Sequence, residues 1–166
     1  MKELKIISLT LIAGFLMLSS TEIFPQSENK DIEWVSLEEA VSMAEENSKK
    51  IMLFMEADWC SLCKKMKAEI FPLSEIQQKI DSSFYAVRID IESNDDVNYK
   101  SQKWTKKELS QEFGLYATPT FIFLESDQSI IGNKAGYMDQ DEFIKLLSYI
   151  SDEKYLEGDF ENFQNN

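Results

Sequence analysis

The only two cysteines of the chain stand two residues apart, directly behind a tryptophan, in EADWCSLCKK (residues 56–65). A pair spaced like Cys60 and Cys63 can exchange disulfides, supply half of a metal site, or staple a turn. An apolar run precedes the pair and helix-forming residues follow it. A thiolate at Cys60 would therefore face the positive end of a helix dipole and its unpaired N–H groups, which lowers a thiol pKa from about 8.5 and makes it a ready nucleophile. Cys63, one turn further in, is placed to attack the mixed disulfide that Cys60 forms. As a staple the pair is poor, because so small a loop hardly restricts the unfolded chain. Zinc takes four ligands, and this chain offers two thiols and no imidazole, which leaves a dimer sharing four thiolates or a soft ion such as Cu(I).

The absence of histidine removes Ser-His-Asp and Cys-His hydrolases, histidine metal centres and c-type haem attachment. A net charge of −13, from 30 acids against 17 bases with no basic stripe, argues against nucleic acid and anionic membrane surfaces as partners. The acids gather at Glu38–Glu46, Asp90–Asp96 and Asp152–Glu161, the pattern of solvated surface. With 43% hydrophobic residues the composition is that of a folded domain.

A short basic start, an apolar run from Ile6 to Leu18 and the small residues Ser19-Ser20-Thr21 predict a cleaved signal peptide over residues 1–26. The apolar run is shorter than the roughly 20 residues of a membrane span, and a retained anchor is the alternative reading. Residues 27–33 form a polar lead-in. An exported chain, periplasmic or secreted, works where disulfides form and persist.

The remaining pattern predicts a helix over 36–47 with Ser36 and Glu39 as a capping box, then a strand in IMLFMEA (51–57) covered on both faces. A helix follows from Cys60, broken at Pro72, with Ser74 capping a second piece. Next come a strand over Phe84–Ile91, a polar stretch, a helix from Thr105 to Gly114, and a hairpin of TPTFIFLE and SIIGNKAG turned at Ser126-Asp127-Gln128. A final helix is capped by Asp139, residues 151–166 form an acidic polar tail, and its last residues, 157–166, are expected to fray. Alternating helices and strands with a late hairpin give one α/β domain, a mixed sheet with helices on both faces.

The segments MEADWCSLCKKM (55–66) and ATPTFIF (117–123), in this order of elements, resemble the thioredoxin superfamily over residues 34–150. Ala57-Asp58-Trp59-Cys60-x-x-Cys63-Lys64 is similar in particular to exported thioredoxin-like proteins and the C-terminal periplasmic domain of the disulfide reductase DsbD. The resemblance implies a thioredoxin-like fold in which Cys60 is the exposed attacking thiol, Cys63 the buried resolving thiol and Trp59 the aromatic that covers them. It further implies that Pro119, after Thr118, is a cis proline against the disulfide where the preceding backbone pairs with a substrate strand. Gly136 resembles the glycine that admits substrate backbone, although a simple turn glycine reads equally well. Leu62 adds an apolar rim for a peptide partner.

Three departures matter. Phe54 stands where thioredoxin has a buried aspartate, so Cys63 must lose its proton by another route. Glu56 and Asp58 are near in sequence and could serve, or be plain surface carboxylates. The intervening Ser61-Leu62 lacks the histidine of oxidising relatives, which implies a reducing or intermediate potential. The segment from Glu92 to Trp104 exceeds its counterpart in thioredoxin, and Tyr99 and Trp104 there either shape a partner surface or pack beneath the loop.

The expectation is an exported thiol:disulfide oxidoreductase, a reductase of protein disulfides that needs no bound cofactor and is recharged by a membrane donor of the DsbD type. A thioredoxin-fold binding or chaperone module with a non-cycling disulfide, and a thiol-based metal-handling protein, are the alternatives.

Overall fold

The computed structural model of the protein describes residues 31–115 and 117–162. The signal peptide expected over 1–26 and most of the polar lead-in lie outside the described residues. The first elements are β1 (Trp34–Val35), α1 (Leu37–Asn47), β2 (Lys50–Glu56) and α2 (Ser61–Lys65), which runs into a π-helical turn, Met66–Ile70. Next are α3 (Ser74–Ser83), β3 (Phe84–Asp90), the hairpin strands β4 (Asp96–Tyr99) and β5 (Gln102–Thr105), and α4 (Lys106–Glu112). The chain continues through β6 (Thr120–Leu124), β7 (Ile130–Ala135) and α5 (Gln140–Ser151) to two short 3₁₀ turns, Lys154–Leu156 and Phe160–Asn162.

The main sheet runs β1-β3-β2-β6-β7; β1 and β2 lie parallel to β3, while β6 is antiparallel to β2 and β7 to β6. The unbroken apolar run of β2 is explained by burial on both faces. Met52 and Phe54 point into a core with Cys63, Met66, Ile76, Phe121, Phe123 and Phe143, under α2, α3 and α5. Ile51, Leu53 and Met55 point into the other core, with Leu37, Ala40, Ala44 and Leu109 of α1 and α4. This is the mixed sheet with helices on both faces that the sequence predicts, and the Ser36–Glu39 and Thr105–Glu108 capping boxes are both formed.

Several local expectations are corrected. The two-residue β1 adds an edge that no periodicity announces. Ser74 does not cap α3; Leu73 occupies that position without a side-chain bond, and Ser74 is the first helical residue. The helix after the cysteines widens at its end, where Phe71 N–H donates to Met66 O at 3.0 Å. The polar stretch hides the hairpin β4–β5, whose turn has positive φ at Lys100 (50°) and Ser101 (61°). Such turns favour Asn-Gly, so the signal was missing from the sequence. Tyr99 is buried edge-on to Phe113 and donates its hydroxyl to Gln128 O at 3.0 Å, and Trp104 packs against the same core. Both residues therefore pack beneath the loop. The tail is packed on the domain as far as Asn162: Phe160 meets Tyr149 edge-on at 5.5 Å with the ammonium groups of Lys134 and Lys145 over its ring, and Tyr149 donates to Gly158 O at 2.6 Å. Two aromatics, Tyr155 and Phe160, give this acidic segment something to bury.

At the far end of β2 from the cysteines, Lys50 is nearly buried and bonds Glu153 at 2.9 Å with Glu125 at 3.5 Å, while Tyr155 donates to Glu125. Burial alone would push the Lys50 ammonium down, but the Glu153 hydrogen bond and the charges of Glu125, Tyr155 and Glu153 outweigh it and leave its pKa above the ordinary 10.5. Burial, and then the bond to Glu125, hold the Tyr155 phenol above its ordinary 10.0. Both groups keep their protons more tightly folded than unfolded, so their contribution is complete below the unfolded values and is lost as pH rises through the folded ones. The urea midpoint should hold from neutral pH to about 10 and then fall, and fall less steeply in Lys50→Met.

Candidate active site

Beyond Glu56 the chain turns through Ala57, whose carbonyl accepts from Cys60 N–H at 3.0 Å, and Cys60 then caps α2. The Cys60 sulfur accepts from Cys63 N–H at 3.0 Å, and the two cysteines are joined as a disulfide with Cα atoms 5.2 Å apart. Cys63 is wholly buried and Cys60 keeps 3% of its surface. The expected exposed thiol is thus nearly covered in the oxidised form, because its sulfur turns inward to the helix start. Beside it Trp59 and Leu62 leave 63% and 44% of their surfaces to solvent, an apolar rim around the pair. Trp59 stands outward to that extent, although the resemblance has it covering the disulfide.

Beneath the disulfide lies an aromatic floor. Phe54 sits 5.0 Å from Phe71, 5.1 Å from Phe121 and 6.1 Å from Trp34 between ring centres, and Phe121 continues to Phe143 at 4.8 Å. The position where thioredoxin carries its aspartate is therefore buried and apolar. Of the two carboxylates expected nearby, Glu56 is 13% exposed, ion-paired to Lys67 and 3.9 Å from Arg88, whereas Asp58 is exposed. Lys67 lies on the π-helical turn one turn after Cys63, and no feature of the sequence marks it as a partner of Glu56.

The facing wall follows from strand register. Thr120 pairs with Met55 at the end of β2 and with Ala135 at the end of β7, so the residues just before β6 and just after β7 meet at the cysteine pole. There the Thr118–Pro119 peptide is cis, and Pro119 O accepts from Gly136 N–H at 2.8 Å. Thr118 Oγ1 is buried with no hydrogen-bond partner among the described residues. Gly136 has φ +101°, and a Cβ added there would meet nothing within 4 Å, so backbone conformation rather than crowding selects glycine. Cys60, Cys63, Trp59, Leu62, Pro119, Thr118 and Gly136 thus belong to one pole of the fold. Among the described residues no group of three or more His, Cys, Asp or Glu could hold a metal, and no helix is long and apolar enough to cross a membrane.

The thioredoxin-like domain family matches residues 37–151, and the chain belongs to it. It is 27% identical over 61% of its length to the thiol:disulfide interchange protein DsbD of Actinobacillus pleuropneumoniae, covering 16% of that protein. It is 25% identical over 89% of its length to the chloroplastic thioredoxin-like protein HCF164 of Arabidopsis thaliana, covering 51% of that one. The chain thus spans about half the length of one of these relatives and far less of the other. A thioredoxin-fold protein from Helicobacter pylori superposes with a TM-score of 0.63 at 26% identity, over 70% of this chain and 78% of that one.

Proposed function

We propose that the protein is an exported thiol:disulfide oxidoreductase that reduces disulfides in partner proteins. The observation that carries this reading is the Cys60–Cys63 disulfide at the start of α2, at the same pole as the cis Thr118–Pro119 peptide. In the reduced protein the Cys60 thiolate attacks one sulfur of a partner disulfide; that bond breaks, a Cys60–partner disulfide forms, and the departing partner thiolate takes up a proton. Cys63 then loses its proton and attacks the Cys60 sulfur, closing the Cys60–Cys63 bond and releasing the second partner thiol. Two electrons and two protons pass to the partner, and a dithiol donor, membrane-bound in the manner of DsbD, must return them. Trp59 and Leu62 supply apolar contact to the incoming segment, which lies along Thr118–Pro119 and over Gly136. Of the two carboxylates, Glu56 is the one held, through Lys67, against the turn that follows Cys63, and it takes the proton of the resolving thiol.

The near-complete cover of Cys60 favours, as a second reading, a binding module whose disulfide stays closed. Equilibrating the couple against dithiothreitol and glutathione buffers, read by fluorescence and thiol labelling, separates the two. The expected reduction potential is near or below about −230 mV; a value above about −150 mV would reverse the direction of electron flow. A pair inert to exchange over hours would leave the binding module.

A further inference from the structure

Gly136 is followed by Tyr137, a half-buried residue with two attachments to the helix that carries the cysteines. Its ring lies under the Lys65 ammonium at 4.2 Å, its hydroxyl donates to Glu69 Oε2 at 3.3 Å, and Lys65 pairs with that same oxygen at 3.7 Å. Lys65 lies two residues beyond Cys63, and Glu69 one turn further on. Gly136, immediately before the ring, donates to Pro119 O at 2.8 Å. One continuous path therefore runs from the cysteine helix through Lys65 and Glu69 to Tyr137, then through Gly136 to the cis proline. These are the two walls between which a partner segment lies.

We infer that Tyr137 is a positioning residue that sets the separation of these walls and hence the fit of the partner polypeptide; this rests on the reductase reading. The ring adds apolar contact to the core and holds the ammonium by cation–π attraction, so the link does not depend on the exposed ion pair alone. Were the clasp merely structural, any tie of the same segment would do as well. The segment has such a second tie, Gln140 donating to Glu75 Oε2 at 2.9 Å, which joins the start of α5 to α3 without touching either wall.

The two ties are separated by steady-state reduction of insulin with dithiothreitol as the dithiol donor. Tyr137→Ala should raise KM for insulin about tenfold with kcat falling less than about twofold, since a looser groove weakens binding more than sulfur exchange. Tyr137→Phe, which keeps the ring under Lys65 and loses the hydroxyl, should fall between it and the wild type. Gln140→Ala should keep the wild-type KM even where thermal melting shows it destabilised as much as Tyr137→Ala. An unchanged KM in Tyr137→Ala, or an equal rise in Gln140→Ala, overturns the inference and leaves the reductase reading standing. A wild type that cannot reduce insulin at all overturns the reductase reading and the inference together.

Discussion

A Cys63→Ser variant is expected to accumulate covalent complexes between Cys60 and its client proteins, whereas Cys60→Ser accumulates none, and each loses at least about a thousandfold in turnover. The asymmetry follows from the geometry of the pair. Cys60 caps α2 beside the exposed Trp59–Leu62 rim and keeps 3% of its surface, while Cys63 lies one turn deeper and wholly buried. The Cys63 N–H that bonds the Cys60 sulfur at 3.0 Å is a donor that would stabilise a thiolate at Cys60 and not at Cys63. Removing Cys63 therefore leaves the first half of the exchange intact and stops the second. Non-reducing electrophoresis of the two variants after acid quenching, with the adducts released by dithiothreitol, reads the difference directly. Adducts on Cys60→Ser and none on Cys63→Ser would invert the two roles; adducts on neither, with a wild type that cannot reduce insulin, would favour the closed binding module.

The main helices and strands and the place of the cysteine pair between β2 and α2 were legible in the sequence because their signals are local. A five-residue apolar stretch in β2, capping boxes at Ser36 and Thr105, and Thr-Pro ahead of β6 each fix a backbone choice within a few residues. What escaped depends on distance along the chain. The β4–β5 hairpin is defined by Val97 and Tyr99 meeting the α1–α4 core and by Glu38 of α1 accepting from Asn98, 60 residues away, and its turn lacks glycine. β1 exists only because β3 lies alongside it. Phe160 looked like part of a solvated acidic tail until Tyr149, Lys134 and Lys145 were brought to it by the fold. Glu56 stood out by its nearness to Cys60, yet its partners Lys67 and Arg88 lie 11 and 32 residues further along. The cysteine pair carries its own motif, whereas Tyr137 acquires meaning only from Lys65 and Glu69, across the groove.

Phe54→Ala should be the most destabilising single truncation near the site, at about 3–5 kcal/mol, the range for emptying a fully buried phenylalanine position. Its ring is shared by three neighbours, Trp34, Phe71 and Phe121, which come from β1, the end of the π-helical turn and β6 and cannot all close on one cavity. Trp34 is in turn pinned by the Arg88 guanidinium 5.3 Å above its ring, which limits relaxation from that side. At about 2–4 °C per kcal/mol for a chain of this size, melting should drop by roughly 10 °C. Phe54→Leu, which keeps most of the apolar volume, should lose less than half as much. A loss under about 1 kcal/mol in urea denaturation would mean that the floor collapses freely and that the rings are not jointly packed. Since phenylalanine titrates nothing, Phe54→Leu should keep the shape of the pH–rate profile well below its melting temperature. That result would separate the floor, which excludes water from Cys63, from Glu56, whose replacement by glutamine should alter the profile if it receives the proton of the resolving thiol.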